Sequence, residues 1–194
     1  MTRENTLIQS DSLLRKSALV LGGSLLIAIA AQISVPMYPV PMTLQTLAIL
    51  LVGFAMGSRL GALAVVAYLA EGLVGLPVFA NGMNGAAFAG PTAGFLVGFI
   101  GLAWMAGYAA ERGLAKGVVG TATAAIVASA ALYIPGILWP MTVAGATGME
   151  AGWIGKDFGS YYWAYFMAPF LIGDAVKAVI AALIVTGGWK ALSK

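Results

Sequence analysis

The chain has 194 residues, 61% of them hydrophobic and 9% charged, with a mean hydropathy of +0.94; so apolar a composition excludes an ordinary soluble domain and points to the membrane. The formal charge of +3 and pI near 9.3 come from scattered basic residues and not from a basic stripe, which speaks against nucleic acid as a partner. With Cys 0 and His 0, disulfides, thiolate chemistry and the commonest general base and metal ligand are excluded.

At about 20 residues per crossing, this length holds six spans with short connections and no separate soluble domain. The expectation is an all-α integral membrane protein, a single transmembrane domain over 1–194. MTRENTLIQSDSLLRK (1–16) is polar and has no short apolar core followed by a small-residue cleavage site. It reads as a cytoplasmic N-terminal segment and not as a removable signal peptide. The first predicted span, 17–35, opens after Arg15-Lys16 and stops at VPMYPVP, where Pro36, Pro39 and Pro41 forbid a continuing helix. The second, 43–57, begins at Thr43 as a plausible N-cap and closes at Gly57-Ser58-Arg59. The third covers 60–76, ending at Gly75 and Pro77. The fourth, 91–110, has Pro91 in a favoured early-helix position and ends at Glu111-Arg112. The fifth is 117–138, with Pro135-Gly136 expected to kink or end it, and the sixth is 161–189.

Basic residues orient this map. With both termini inside, Arg3, Arg15, Lys16, Arg59, Arg112, Lys116, Lys190 and Lys194 share the inner side, Lys156 stands alone outside, and Lys177 lies in the membrane. The positive-inside rule then puts both ends in the cytoplasm. The outer connections are 36–42, 77–90 and 139–160, rich in Pro, Gly, Asn and aromatics. Irregular backbone presented by a rigid scaffold is where binding residues concentrate.

The sixth span is the only predicted one to carry both an acid and a base, Asp174 and Lys177. Residues at i and i+3 share a helix face and can compensate one another. A charge at the bilayer centre costs about 2.5–3.5 kcal/mol on insertion scales, so a retained pair is a functional-site candidate. No phosphate-binding loop occurs; GWIGK (152–156) has the wrong spacing, so ATP hydrolysis and enzyme chemistry are not expected. Ser24, Thr121, Thr123 and Ser129 have no base beside them and read as packing hydroxyls. Ala18-x-x-x-Gly22, Gly53-x-x-x-Gly57 continuing to Gly61, and Gly94-x-x-x-Gly98 space small residues for close helix contact, the first of them near the cytoplasmic start of the chain's first helix.

A site for a small, partly apolar ligand needs an apolar wall and a few convergent polar groups. Those groups would be Asp174 and Lys177, Gln45, and Asn81 and Asn84, whose amides suit a urea- or amide-like partner. Aromatic walls could come from Tyr38, Phe79, Phe88, Trp153, Tyr161, Tyr162 and Tyr165. On the residues alone, a membrane assembly protein held together by the Asp174/Lys177 pair and an ion or proton carrier using Asp174 stay open beside a vitamin-binding protein.

PVPMTLQTLAILLVGFAMGSRLGALAVVAYLAEGLVGLPVFA, then AAFAGPTAGFLVGF, then IGDAVKAVIAAL, in that order over about 36–185, resembles the BioY family. The resemblance implies six transmembrane helices with an outward-facing biotin site roofed by loops. It also implies the role of biotin-specific S component in an energy-coupling factor transporter of a prokaryotic cell membrane. The partners implied are a membrane coupling (T) subunit and ATPase (A) subunits, with biotin as transported ligand and no cofactor. In that family the last-helix D-x-x-K contacts biotin, which carries over to Asp174 and Lys177; Gln45, Asn81, Asn84, Phe88 and Tyr162 complete the expected substrate site. The loop before GPTAGFL reads ANGMNGAAFA, with no basic residue. The small-residue face of Ala18 and Gly22 is the expected partner interface.

Overall fold

Lipid offers the backbone no hydrogen-bond partners, so an apolar chain crossing it satisfies its amides within helices. The computed structural model describes residues 13–192. Most of the expected cytoplasmic segment 1–16, including Arg3, lies outside the described residues, as does Lys194. Helix α1 is Leu13–Gln32. It leads into a two-stranded antiparallel ladder, β1 (Ser34–Val35) with β2 (Met42–Thr43), in the register Ser34↔Thr43 and Val35↔Met42. The ladder closes the proline-rich connection, expected as an irregular loop, into a hairpin. Helix α2 is Gln45–Leu73, α3 is Ala93–Glu111 and α4 is Gly117–Leu138. A wide π-type turn, Trp139–Val143, and a short α5, Ala144–Ala146, follow. The chain returns through a π-helical segment, Phe158–Met167, into α6, Ala168–Leu192.

Among the described residues, five helical stretches are long and apolar enough to cross a membrane: Leu13–Gln32, Gln45–Leu73, Ala93–Glu111, Gly117–Ala146 and Phe158–Ala191. The expected second and third spans both fall in α2, which is not one rod. Gly57 has φ 82 and ψ 175, a conformation reserved for glycine. The chain reverses there: a Cβ on Gly61 would lie 3.0 Å from the Cα of Gly53. Gln45 likewise hydrogen-bonds Tyr68, 23 residues away. The two arms, 45–56 and 58–73, measure roughly 18 and 24 Å at about 1.5 Å per residue. Thr43 is not the cap; Leu44 holds that position without a side-chain hydrogen bond, while Thr43 Oγ1 accepts from the Gln45 amide at 3.2 Å.

Glu111, at the end of α3, seals the reversal. Its carboxylate accepts from the Ser58 amide and the Ser58 hydroxyl, each at 2.8 Å, placing an anion at the start of the second arm, where the helix dipole favours it. Helix α4 does not stop at Pro135-Gly136. It runs on to Leu138 and widens at Trp139–Val143, so most of the start of the expected 139–160 connection is helical. Wide turns of this kind absorb a break in the i→i−4 ladder. Trp139 Nε1 donates to the Gly90 carbonyl at 2.9 Å and ties this end of α4 to the 77–92 connection.

Residues such as Ile27, Ile49, Phe54, Val65, Tyr68 and Leu102 fill the interior, whereas Leu21, Leu25, Val97, Ile126, Leu183 and Ile184 face outward. That distribution suits a protein solvated by acyl chains. Thr121 behaves as the expected packing hydroxyl, donating to the Gly117 carbonyl at 2.8 Å. Ser24 instead reaches across to α2, donating to Glu71 Oε1 at 2.7 Å.

Where α3 crosses the reversal, a Cβ on Gly107 would sit 2.2 Å from the Ser58 amide nitrogen and 2.3 Å from the Gly57 carbonyl carbon. Backbone cannot swing aside as a side chain can. Gly107→Ala should therefore destabilise the fold by about 1–3 kcal/mol, in the range of overpacked cores. Gly101→Ala, with nothing within 4 Å, should leave it unchanged. Thermal melting in detergent checks both; equal melting of the two variants would refute the close approach.

Candidate functional site

The β1–β2 hairpin, the 77–92 connection and the adjoining turns of α2, α3, α4 and α6 enclose a cavity of about 230 Å³. This lies just below the usual range for ligand sites of about 300–1,000 Å³ and suits a compact metabolite. Its apolar wall comes from Phe79, Phe95, Leu96, Phe99, Leu132 and Phe170, and its polar groups come from Thr43, Gln45, Thr46, Asn81, Tyr133, Asp174 and Lys177.

Asp174 and Lys177 stand one turn apart on α6, with Lys177 Nζ 3.0 Å from Asp174 Oδ1. Lys177 is 7% exposed. Its ammonium also donates to Thr46 Oγ1 at 2.7 Å and to the Thr43 carbonyl at 3.4 Å. Three acceptors therefore meet its three N–H donors. The other oxygen of Asp174, Oδ2, accepts from the Tyr133 hydroxyl at 2.5 Å. A buried charge left without such partners would be strongly destabilising, whereas a paired and hydrogen-bonded one is tolerated. The network therefore joins α6 to α4 and to the start of α2. Gly173 lets α6 approach the hairpin, since a Cβ there would meet Met42 Sδ at 2.9 Å.

Gln45 is buried, and both ends of its amide are engaged. Oε1 accepts from Thr43 Oγ1 at 2.9 Å, and Nε2 donates to Tyr68, whose hydroxyl donates to the Val78 carbonyl at 3.2 Å. Asn81 adopts a left-handed backbone, φ 59, and its Oδ1 accepts from Ser34 Oγ at 3.1 Å, linking the two connections at the cavity mouth. Gln32 reinforces that link: Nε2 donates to the Phe79 carbonyl at 3.1 Å, and Oε1 accepts from the Gly82 amide at 3.1 Å.

Among the expected substrate-site residues, Asp174, Lys177, Gln45 and Asn81 are brought together around the cavity. Asn84, Phe88 and Tyr162 lie away from it. Asn84 caps the 3-10 turn Gly85–Ala89 by accepting from the Ala86 amide at 3.1 Å. Phe88 packs edge-on against Phe79, 5.7 Å between centroids, and so supports a wall residue from behind. Tyr162 is fully buried and donates toward the Pro140 and Trp153 carbonyls, each at 2.9 Å, pinning the returning 147–157 connection. Asp157 caps the helix that follows. It accepts from the Ser160 amide at 2.8 Å, and that bond holds its carboxyl below the usual range.

Sequence reasoning passed over Tyr133, Thr43 and Thr46 as site residues. Tyr133 had a usable signal, being a hydroxyl-bearing aromatic inside a predicted span. Thr46 had none, because only folding brings it to a lysine 131 residues away. The expected partner residues Ala18 and Gly22 lie on the outward side of α1, and a Cβ on Gly22 would meet nothing within 4 Å. The neighbouring Gly23 makes the internal contact instead, with a Cβ there 2.9 Å from that of Ala64.

The family model described as "BioY family" matches residues 2–194. Among curated relatives, the "Biotin transporter BioY" of Rhizobium etli is 39% identical over 160 residues, covering 78% of this chain and 79% of that protein. The protein of the same name from Rhodobacter capsulatus is 37% identical over 171 residues, covering 83% and 85%. That from Thermotoga maritima is 36% identical over 166 residues, covering 82% and 86%. A crystal structure described as the S-component for biotin from an ECF-type ABC transporter superposes with a TM-score of 0.59 at 22% identity. It covers 96% of this chain and 95% of its own, a likeness of fold. A family model spanning almost every residue and relatives aligned over most of their lengths lead to one conclusion: this chain belongs to the BioY family.

Proposed function

We propose that this chain binds biotin and takes it up across a prokaryotic cell membrane as the S component of an energy-coupling factor transporter, without enzymatic activity of its own. The single observation that carries the reading is the Asp174–Lys177–Tyr133–Thr46 network set beside the aromatic and aliphatic wall of the cavity. Biotin offers the matching chemistry: a ureido ring with two N–H donors and one carbonyl, an apolar thioether ring, and a carboxylate tail. Asp174 retains lone pairs for ureido N–H groups, and Phe79, Phe95 and Phe170 offer apolar surface to the rings.

Uphill uptake would be driven from outside the chain by a coupling subunit and paired ATPases. We read the arms of α2 as separate crossings, which gives six spans with both termini cytoplasmic and the cavity opening outward. The short first arm then starts below the outer surface, which would sink the cavity into the membrane. The outward face of Ala18 and Gly22 would receive the coupling subunit.

One observation favours a second reading: the same network links α6 to α4 and α2, so Asp174 and Lys177 could serve as helix glue alone. Binding decides. Losing either member of a buried pair costs about 2–5 kcal/mol, at least a tenfold weakening at about 1.4 kcal/mol per decade. Asp174→Asn and Lys177→Met should weaken biotin binding at least that much in calorimetry while both variants still insert and fold. Unchanged affinity in well-folded variants would favour glue.

Tags at residues 1 and 194 should both resist external protease in intact cells, and cleavage of either would overturn the even number of crossings. Ala18→Trp and Gly22→Trp should abolish co-purification with the coupling subunit while biotin affinity stays within about threefold, because packing supplies the attraction between helices in lipid. Co-purification of both variants at the wild-type level would remove this face from the interface.

A further inference from the structure

The cavity's charge inventory says which end of the ligand it reads. Among the described residues, Asp174 and Lys177 are the only ionised side chains lining it, and they neutralise one another at 3.0 Å. All three Lys177 donors are already matched, by Asp174, Thr46 and the Thr43 carbonyl. The charged acceptor left in the lining is Asp174, an anion. A ligand carboxylate placed there would face a like charge with no spare cation to offset it, whereas N–H donors would be welcomed. At the mouth, the lining residues of the 77–92 connection include Asn81, Met83, Pro91 and Thr92, all neutral. Asn81 and Met83 are exposed, so water reaches this side of the cavity, while Lys177 is buried. An anionic tail directed to the mouth keeps its hydration and gains no ion pair from the cavity lining.

We propose that this cavity recognises the neutral cyclic-urea head and leaves the acid tail unread, so that its ligand class extends from biotin to carboxyl-modified biotins such as its simple amide and biotinyl-lysine. The inference rests on the biotin reading above and deepens it by stating what the site ignores. Selectivity would come from the ureido donors on Asp174, held in place by Tyr133 and Lys177, and from the aromatic wall.

The test is isothermal titration of the full-length chain in detergent with biotin and with its primary amide. Affinities within about threefold are expected; a tail paired to a buried cation would make the amide about thirtyfold weaker or worse. Tight biotin binding with the amide weakened beyond about threefold would overturn the proposal alone. Failure of biotin itself to bind would overturn the biotin reading and this inference with it. A gain-of-function arm adds an independent readout. Met83 stands 45% exposed on the cavity lining, so Met83→Arg supplies the missing cation without disturbing the core. It should create a preference for biotin over the amide of about fivefold to tenfold that diminishes with added salt. A preference of that size already present in the wild type, and unchanged by Met83→Arg, would refute the proposal.

Discussion

The Asp174–Lys177 pair is the constraint on which the rest of the architecture turns. Two charges in an apolar helix are tolerable only if they are paired and hydrogen-bonded, and the partners cannot all come from the same helix. Tyr133 on α4 and the Thr43–Thr46 segment at the start of α2 supply them. Three segments far apart in sequence are therefore held at fixed distances around one point. The cavity is the space left between them where the hairpin and the 77–92 connection close over the top.

That space exists because the helices elsewhere pack with little separation. Gly94 lies where a Cβ would be 2.1 Å from the Pro135 carbonyl oxygen, and Gly53 where it would be 2.6 Å from that of Ala103. In lipid there is no hydrophobic drive between helices, so such close backbone approach has to supply the attraction. The reversal at Gly57 extends the same economy, folding a 29-residue helix back on itself so that its first residues reach the site and its last ones, through Gly72, seat the Phe79 ring. Phe79 then carries the 77–92 connection into the cavity wall, packed on Tyr68 and Phe88.

Helix α1 stands apart from this arrangement. It gives its inward side to the second arm of α2 through Gly23 and through Ser24 with Glu71, and leaves Ala18 and Gly22 open. At its other end Gln32 holds the backbone of the 77–92 connection at Phe79 and Gly82. One helix thus touches the cavity roof near one end and carries the exposed Ala18 and Gly22 nearer the other.

Much of the fold was legible in the chain itself. Apolar runs of span length bounded by Pro, Gly and basic residues mark helices because lipid solvates nothing else, and five such stretches stand close to where those runs lie. An acid and a base three residues apart in the last run were visible as a candidate site for the same reason: burial makes charge expensive. Local chemistry could not reveal which neutral residues complete the site. Gln45 and Asn81 line the cavity, whereas Asn84, Phe88 and Tyr162, equally plausible by type, cap a turn, support Phe79 and pin a connection. Tyr133 and Thr46 gained their roles only through contacts spanning 41 and 131 residues. Sequence by itself determined what must be buried and what burial must compensate, because those are properties of single residues and their near neighbours. Tertiary structure alone decided who compensates whom, because partnership across helices depends on the crossing geometry set by Gly57, Gly94 and Gly107, where bare backbones meet.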